Sequence, residues 1–293
     1  MSADELILFR SPMFVVGEFV CRPGDPRWRE TNAVSDAPHI VFPRTSVVIA
    51  QVGRGAVLAN RNHVMFYNPL QRFHRFLHDG RGDVCVFVEI DPALVAEAVG
   101  RDPWFEFGNA PADGRTYLLQ DALTRALRDR RCDELHAEEV LLDVVQRSLE
   151  QAVVFHGMRR RRRRARTERE HVDLVETTKA QLTRAPTRRV TLGGLAREVH
   201  ASPFHLARVF RERTSFSIHG YQTQLRLRLA LDRLHDGAEL SSLALDLGFS
   251  SHSHFTTAFG NAFGLPPSAA RTLGRHGLRE LRTIVEAPLT GRS

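Results

Sequence analysis

Apolar and polar positions follow different patterns in the two halves of the chain. In the first ninety residues, short apolar runs are separated by turns rich in glycine, proline, asparagine and aspartate. Runs of this kind predict β-strands, and several short strands with such breaks predict a small sandwich or barrel. The predicted strands cover residues 14–21, 39–52, 56–68, 73–78 and 84–90.

Helical spacing replaces the strand pattern after residue 90. Asp91 followed by Pro92 is a good helix start, and two longer helices are predicted over 117–130 and 137–156. The second helix carries an apolar stripe, which packs on the domain's own sheet, forms a dimer surface, or does both with different faces. Together these elements predict one N-terminal domain. It covers residues 1–157, with a barrel over about 10–115 and flanking helices over about 117–156.

Six consecutive arginines occupy positions 159–164, and Arg166 follows shortly after. So dense a run of like charges repels itself and does not pack, which predicts a linker over residues 158–166 and a domain boundary there. The run is either a solvated connection without a direct role or a segment that attracts phosphates without sequence preference.

Residues 167–275 are predicted to form an all-α domain that contains a repeated unit. A short amphipathic helix, a turn and a second helix occur twice, about 48 residues apart. This arrangement predicts two helix-turn-helix units joined by a long helix. The seven predicted helices cover about 167–183, 191–199, 203–213, 218–235, 241–247, 252–261 and 267–273. The remaining residues, 276–293, are predicted to be a C-terminal tail.

Length and composition fit two folded domains. The chain has 293 residues and 42% hydrophobic side chains. It contains no apolar run near the roughly 18 to 20 residues of a membrane helix, and its start lacks the pattern of a secretory signal. We therefore expect a cytoplasmic protein without a membrane partner. Cys21, Cys85 and Cys132 form no Cys-x-x-Cys pair and are expected to be reduced core residues.

Charge is divided unevenly between the two halves. Residues 1–157 hold 17 basic and 22 acidic side chains, whereas residues 158–293 hold 24 basic and 12 acidic ones. Arginine supplies nearly all of the basic groups, which indicates a compositional bias, but bias alone would not place the excess in one half. A basic helical half predicts a phosphate-bearing partner.

The second helix-turn-helix unit carries a specific set of residues. The set is Leu243-Ala244, Gly248-Phe249-Ser250, Ser253, Phe255, Phe259, Phe263-Gly264, Pro267 and Arg271. With these residues, 167–273 resembles the DNA-binding domain of the AraC/XylS family of bacterial transcription regulators. The first unit fits less well, because His200-Ala201 and Ser215 stand where family members usually carry glycine, and Ala270 replaces a usual aromatic residue.

The same resemblance implies a cupin-like sensor barrel in the N-terminal half. It is weaker there and rests on Phe42-Pro43-Arg44, Phe66-Tyr67-Asn68-Pro69 and Gly82-Asp83. It implies a regulator that binds double-stranded DNA, forms a homodimer and responds to a small-molecule effector, with RNA polymerase as a further candidate partner. No cofactor is implied, the effector is unidentified, and activation and repression both stay open.

Candidate base contacts lie on the second helix of each unit. The joining helix of about 18 residues spans roughly 27 Å, which suits two entries into the major groove about one DNA turn apart. The outward positions predicted to contact bases are Phe204, Ala207, Arg208, His252, Ser253, Thr256 and Thr257. Arg208 is the best candidate because a guanidinium can pair bidentately with guanine. It could instead contact a phosphate or face solvent, Ser253 could cap its helix, and His252 could be a plain surface residue.

Phosphate contacts are predicted around the same helices. They hold the protein on the duplex without specifying sequence. The candidates are Arg188, Arg189, Ser202, Arg211, Arg226 and Ser251.

Two other functions compete with effector sensing in the N-terminal half. Cupin barrels can hold a metal, and His63, His74, His78 and Glu89 lie in this region. They do not form a His-x-His pair followed at short spacing by glutamate, so neither a metal site nor an enzyme is expected, and no catalytic residue is assigned. Alternatively the domain binds no ligand and serves only for dimerisation or protein contacts.

Overall fold

The computed structural model describes residues 4–99, 104–160 and 165–276. A β-rich N-terminal part is followed by a helical C-terminal part. This confirms the predicted division into a mostly-β domain with flanking helices and an all-α domain. In the described residues, no helix is both long and apolar enough to cross a membrane.

The strands of the N-terminal part form two antiparallel sheets. Their bounds are β1 Asp4–Arg10, β2 Phe14–Cys21, β3 Asn32–Ala33, β4 His39–Pro43, β5 Val47–Gln51, β6 Ala56–Ala59, β7 His63–Tyr67, β8 Arg72–Leu77, β9 Asp83–Ile90 and β10 Asn109–Pro111. One sheet has the order β1-β2-β9-β4-β7-β10 and the other β3-β8-β5-β6. The predicted barrel is therefore not closed over the described strands.

Two of the predicted strands are each divided in the structure. The chain passes from the six-stranded sheet to the four-stranded sheet between β4 and β5, and back between β6 and β7. Asn60, Arg61 and Asn62 make the second crossing, and we call them the Asn60–Asn62 turn. Apolar residues continue up to both crossings, so the sequence pattern predicted β4 and β5 as one strand and β6 and β7 as another.

Strand β7 lies between β4 and β10 in the six-stranded sheet and is buried on both faces. Val64 and Phe66 contact a core shared with the helices, whereas Met65 and Tyr67 pack against side chains of the four-stranded sheet. This alternation is the two-residue period of a strand. It places one apolar layer between the two sheets and another beneath the helices.

Three helices accompany the sheets: α1 Pro92–Val99, α2 Gly114–Arg128 and α3 Glu134–Arg160. The apolar stripe of α3 is buried within this chain through Val140, Leu141, Val144, Val145, Leu149 and Ala152. This confirms packing on the domain's own core. Other apolar side chains of α3, including Val153 and Val154, are exposed, so a dimer surface stays a prediction.

Seven helices make up the described C-terminal part, as predicted. They are α4 Ala165–Arg184, α5 Leu192–Glu198, α6 Pro203–Thr214, α7 Ile218–His235, α8 Leu240–Asp246, α9 His252–Phe263 and α10 Pro267–His276. Helix α7 has the predicted bounds, and Ser202 and Ser217 cap α6 and α7 as expected. Parts of the predicted linker (161–164) and tail (277–293) lie outside the described residues.

The two helix-turn-helix units differ in how they are anchored. The first unit has a separate core that includes Leu206, Phe210 and Tyr221. The core of the second unit is continuous with that of the N-terminal domain. At the contact between α2 and α9, a Cβ atom on Gly114 would lie only 2.2 Å from the carbonyl oxygen of Ala262. The second unit is therefore packed directly against the N-terminal domain.

Helix α7 is bound to the Asn60–Asn62 turn by a buried guanidinium. Arg228 is fully buried, and its Nη atoms donate to the carbonyl oxygens of Arg61 and Ala112 and to Oδ1 of Asn62. Asn60 exchanges hydrogen bonds with the Tyr221 hydroxyl at 2.8 and 3.1 Å. The helix that joins the two units thus also forms the interface with the N-terminal domain.

Candidate nucleic-acid interface

The N-terminus of α6 has the features of a phosphate-binding helix end. The Ser202 hydroxyl oxygen accepts a hydrogen bond from the His205 backbone at 3.2 Å, and Pro203 occupies the first turn. Because the oxygen is the acceptor here, the hydroxyl proton remains available to a phosphate oxygen. The positive end of the helix dipole favours the same ligand.

Helix α6 has a buried face and an exposed face, as its periodicity predicts. Leu206, Val209 and Phe210 are completely buried. Phe204 is 81% exposed, Arg208 is exposed and Ala207 is half-buried. The three predicted base-contacting residues therefore lie outside the core, and a large apolar ring stands in solvent at the start of the helix.

Arg208 is held by neighbours on its own helix. Its Nη1 atom lies 3.3 Å from Glu212 Oε1, and its Nη2 atom lies 3.4 Å from His205 Nδ1. Both contacts are exposed and weak by geometry. For Arg208 to pair with guanine, its guanidinium must leave the carboxylate of Glu212.

Helix α9 repeats the arrangement of α6 with smaller polar side chains. Ser251 caps it, since its hydroxyl oxygen accepts from the His254 backbone at 3.1 Å. Phe255, Phe259 and Phe263 are fully buried. The predicted contacts His252, Ser253 and Thr257 are exposed, and Thr256 is half-buried. Because Ser251 is the cap, the alternative capping role of Ser253 is wrong.

The predicted phosphate-binding arginines have different surroundings. Arg189 and Arg211 are exposed. Arg188 is exposed too, but its Nη2 atom donates to Glu198 at 2.9 Å. All three lie close in sequence to α5 or α6, so the basic surface is concentrated around the first unit.

Arg226 is not available for the predicted phosphate contact. It is only 8% exposed, and its Nε atom donates to the carbonyl oxygen of Pro186 at 2.8 Å. Its Nη1 atom donates to the carbonyl oxygen of Gly248 at 3.0 Å, and its Nη2 atom to that of Arg188 at 3.1 Å. This side chain joins the segment before the first unit to the turn of the second. The predicted phosphate contact of Arg226 is therefore wrong.

A cavity of about 210 Å³ lies between the two sheets of the N-terminal domain. Its apolar walls surround polar groups, including an ion pair in which Arg75 Nη1 lies 3.0 Å from Asp83 Oδ2. Burial raises the pKa of Asp83 and also that of the Tyr67 hydroxyl. Apolar walls with a few oriented polar groups are typical of small-molecule sites.

A larger cavity of about 670 Å³ lies between the N-terminal domain and the first helix-turn-helix unit. It has charged groups from the helical side, among them Lys179 and Arg213, each paired with a glutamate. Ile49 and Met65 line both cavities. The cavity between the sheets and the cavity at the domain interface therefore share part of their walls.

The histidines considered for a metal do not form a cluster. Among the described residues, no group of three histidine, cysteine, aspartate or glutamate side chains is arranged to hold a metal ion. His63 is buried at the domain interface, and burial together with the nearby Lys179 and Arg228 lowers its pKa well below the usual value. Its Nδ1 atom lies 3.0 Å from Asn60 Oδ1, so this histidine makes a buried hydrogen bond within the domain interface.

Arg228, Asn60 and Asn62 are interface residues that the sequence analysis did not identify. Helical spacing carries one usable signal, because Tyr221, Leu225 and Arg228 fall on the same face at intervals of four and three residues. Tyrosine and leucine at the first two of these positions favour burial of that face, so Arg228 could have been placed beside them. The turn residues gave no comparable signal.

Residues 195–272 match the protein family described as the helix-turn-helix domain. ToxT from Vibrio cholerae in a form bound to an unsaturated fatty acid is 12% identical, with a TM-score of 0.35 over 90% of this chain and 97% of that one. An AraC-type regulator from Chromobacterium violaceum is 22% identical, with a TM-score of 0.34 over 36% and 96%. A DNA-binding transcriptional dual regulator from Escherichia coli K-12 is 24% identical, with a TM-score of 0.32 over 34% and 91%.

Proposed function

We propose that this chain is an AraC-type DNA-binding regulator that reads two successive segments of the major groove with α6 and α9. The helix-turn-helix match over residues 195–272 supports this proposal. One observation carries the proposal: α6 and α9 each begin at a capping serine and have an exposed face, and α7 connects the two units that contain them. Eighteen residues of α7 span roughly 27 Å. This length suits two groove entries about one DNA turn apart.

Base specificity comes mainly from the first unit in this proposal. Arg208 pairs with guanine, while Phe204 and Ala207 contact thymine methyl groups and sugars. On α9, His252, Ser253, Thr256 and Thr257 are small or polar and can accept or donate at several bases. The second unit therefore contributes a weaker preference.

Phosphate contacts come from both helix starts and from the exposed arginines. Ser202 and Ser251 donate their hydroxyl protons at the positive ends of α6 and α9. Arg188, Arg189 and Arg211 add charge on the side of the first unit. The Arg159–Arg164 run adds salt-dependent attraction that does not depend on sequence.

A small molecule held between the two sheets is the proposed effector. The apolar cavity with its Arg75–Asp83 pair supports this assignment, and the continuity of the core from sheet to α9 supports a path to the DNA-binding helices.

The second candidate is an effector-independent regulator whose N-terminal domain only dimerises or contacts other proteins. The exposed apolar side chains of α3 favour this role as a dimer surface.

The DNA proposal is tested by binding-site selection followed by affinity measurements at fixed salt. We expect Arg208→Ala to cost about 1 to 3 kcal/mol at the selected site and to relax one base position. The matched control is Arg211→Ala, on the same helix, which should weaken all sequences equally and reduce the salt dependence. A uniform loss for Arg208→Ala would make it a phosphate contact and would contradict the proposed specificity.

The effector proposal is tested by a thermal-shift screen of the full chain with small metabolites. A ligand that binds only the folded protein stabilises it by about 2.7 kcal/mol at one hundred times its Kd. A stabilising compound that also changes operator affinity supports sensing. If no compound shifts the melting temperature while the operator is still bound, the effector-independent alternative holds. Sedimentation of the full chain then decides whether it dimerises.

A further inference from the structure

A third cavity, of about 340 Å³, lies between the N-terminal domain and helices α4 and α7. We call it the basic pocket. Its described lining includes four arginines and one carboxylate: Arg44, Arg61, Arg81, Arg184 and Asp79. Leu225 and Leu229 of α7 supply an apolar wall, and Ser46 and Asn60 supply neutral polar groups. Both domains therefore contribute to the pocket.

The arginines behind this lining outnumber their carboxylate partners. Arg44 pairs with Asp121 at 2.7 Å and Arg61 pairs with Asp232 at 2.6 Å. Arg125 draws on the same two carboxylates, at 3.1 and 3.4 Å. Three guanidinium groups thus share two aspartates.

A neutral group completes the coordination of two of these guanidinium groups. The Tyr117 hydroxyl oxygen accepts from Arg44 at 2.8 Å and from Arg61 at 3.1 Å. A phenol oxygen is not a formal counter-charge, so one positive charge in the network stays uncompensated.

Arg228 adds a further cation to the same region. Its guanidinium lies 4.8 Å from the centre of the Tyr117 ring, and its bonding partners among the described residues are neutral oxygens. Burial lowers its pKa to about 10. Buried charges are normally paired, because an unpaired one is costly to remove from water. The guanidinium groups around Tyr117 therefore outnumber the carboxylates that are paired with them.

Two residues that could meet an anion, His78 and Arg184, line the pocket. The Nε2 atom of His78 is buried and, among the described residues, has no hydrogen-bond partner. Arg184 is exposed at the end of α4. Burial lowers the pKa of His78, and the nearby charge of Arg184 lowers it further. The single carboxylate, Asp79, is already paired with Arg81 at 2.6 Å.

We propose that the basic pocket binds a small organic phosphate whose anionic group contacts Arg184 and His78. Phosphate suits a site built from several arginines, because their donors pair with its oxygens in charge-assisted hydrogen bonds. The volume lies at the small end of ligand sites, so the molecule carries little beyond the phosphate and a short carbon group against Leu225 and Leu229. Since residues of both domains line the site, the bound anion ties α4 and α7 to the N-terminal domain. This proposal goes beyond the effector proposed above, and the two can fail independently.

Calorimetry of the full chain tests the proposal, with glycerol 3-phosphate and inorganic phosphate as probes and sodium chloride adjusted to hold ionic strength constant. We expect saturable binding of one molecule per chain. Arg184→Gln should weaken binding about tenfold by removing charge-assisted hydrogen bonds, and His78→Gln should weaken it less. The matched control is Arg72→Gln, which removes an exposed positive charge outside the pocket.

Three results would overturn the proposal. The first is absence of saturable binding by the unaltered chain. The second is equal weakening by Arg184→Gln and Arg72→Gln, which would indicate general attraction to a basic protein. The third is a loss of DNA affinity for Arg184→Gln with unchanged binding of both probes, which would identify Arg184 as a contact for the DNA backbone.

Discussion

The Arg226 guanidinium donates a hydrogen bond to the carbonyl oxygen of Gly248 over 3.0 Å. Arg226 lies in the middle of α7, and Gly248 lies in the turn between α8 and α9. The same guanidinium also donates to carbonyl oxygens of the segment before α5. One side chain therefore fixes parts of both helix-turn-helix units to the helix between them.

Replacing Arg226 should lower stability without removing a phosphate contact. Arg226→Met keeps the apolar stem but removes the donor to the carbonyl oxygen of Gly248 and leaves those of Pro186 and Arg188 with Gln222 alone, so we expect a loss of about 1 to 2 kcal/mol in the free energy of unfolding. The salt dependence of DNA binding should stay unchanged. Urea unfolding and salt titrations check both statements. A salt slope reduced by about one, as expected for Arg211→Ala, would return Arg226 to the phosphate-binding set.

Gly248 should tolerate no side chain. Its φ is +80°, and an added Cβ would lie 2.7 Å from the carbonyl oxygen of Thr187. We expect Gly248→Ala to destabilise the chain by about 2 kcal/mol or more. Gly260→Ala is the matched control, since Gly260 lies inside α9 with open space around its Cα. That change should stabilise the chain by about 0.5 to 1 kcal/mol through helix propensity. Similar losses for both variants in urea unfolding would refute the steric explanation.

Removing the carboxylate beside Arg208 should strengthen DNA binding and sharpen base preference. Glu212→Gln frees the guanidinium and removes a negative charge near the DNA, so we expect affinity for the selected site to rise a few-fold. Glu198→Gln, beside Arg188, is the control and should raise affinity for all sequences alike. Competition between the selected site and a variant at the guanine position separates the two. Equal gains on both DNAs for Glu212→Gln would contradict a base contact by Arg208.

Acid should weaken the interface around Asp121. Burial raises the pKa of this carboxyl, but attraction to Arg44 and Arg125 outweighs burial and lowers it to about 2. A lowered pKa means that the ionised form stabilises the fold by about 2 kcal/mol above pH 4, and that this contribution is lost as pH falls towards 2. The unfolding free energies of the unaltered chain and of Asp121→Asn should therefore converge by about 2 kcal/mol between pH 5 and pH 2. A constant difference would contradict the shifted pKa.

Local rules of sequence were sufficient for the helical domain. Ser202 before Pro203, and Ser217 before an amphipathic run, are capping signals that act within a few residues, and the structure places both helices where these signals predict. The predicted phosphate contact of Arg226 was wrong because the environment of this side chain depends on residues distant in sequence. Arginine is usually exposed to solvent, so the sequence favoured a surface position for Arg226. In the structure, carbonyl oxygens up to forty residues away accept hydrogen bonds from its guanidinium.

In the N-terminal domain, too, contacts between residues distant in sequence decide what the local sequence pattern leaves open. The run 56–68 is apolar on both sides of the polar residues Asn60, Arg61 and Asn62, which permit a turn, and the partners of β6 and β7 in two different sheets make the break there. No periodicity within the run records that change of partner. The positions of Arg44, Asp121 and Asp232 in one network likewise depend on contacts between the residue that follows β4 and the helices α2 and α7.

The burial of Arg228 limits how far the helical half can be treated as a transferable module. Fusion of residues 165–276 to another sensor would expose apolar side chains of α9 and α10 that now pack on α2, and would leave the guanidinium without the oxygens of the Asn60–Asn62 turn. A compatible sensor would have to supply both an apolar surface and a set of carbonyl acceptors at the same place. Exchange of domains in this architecture is therefore expected to require co-transfer of the segment around residues 60–62 together with α2.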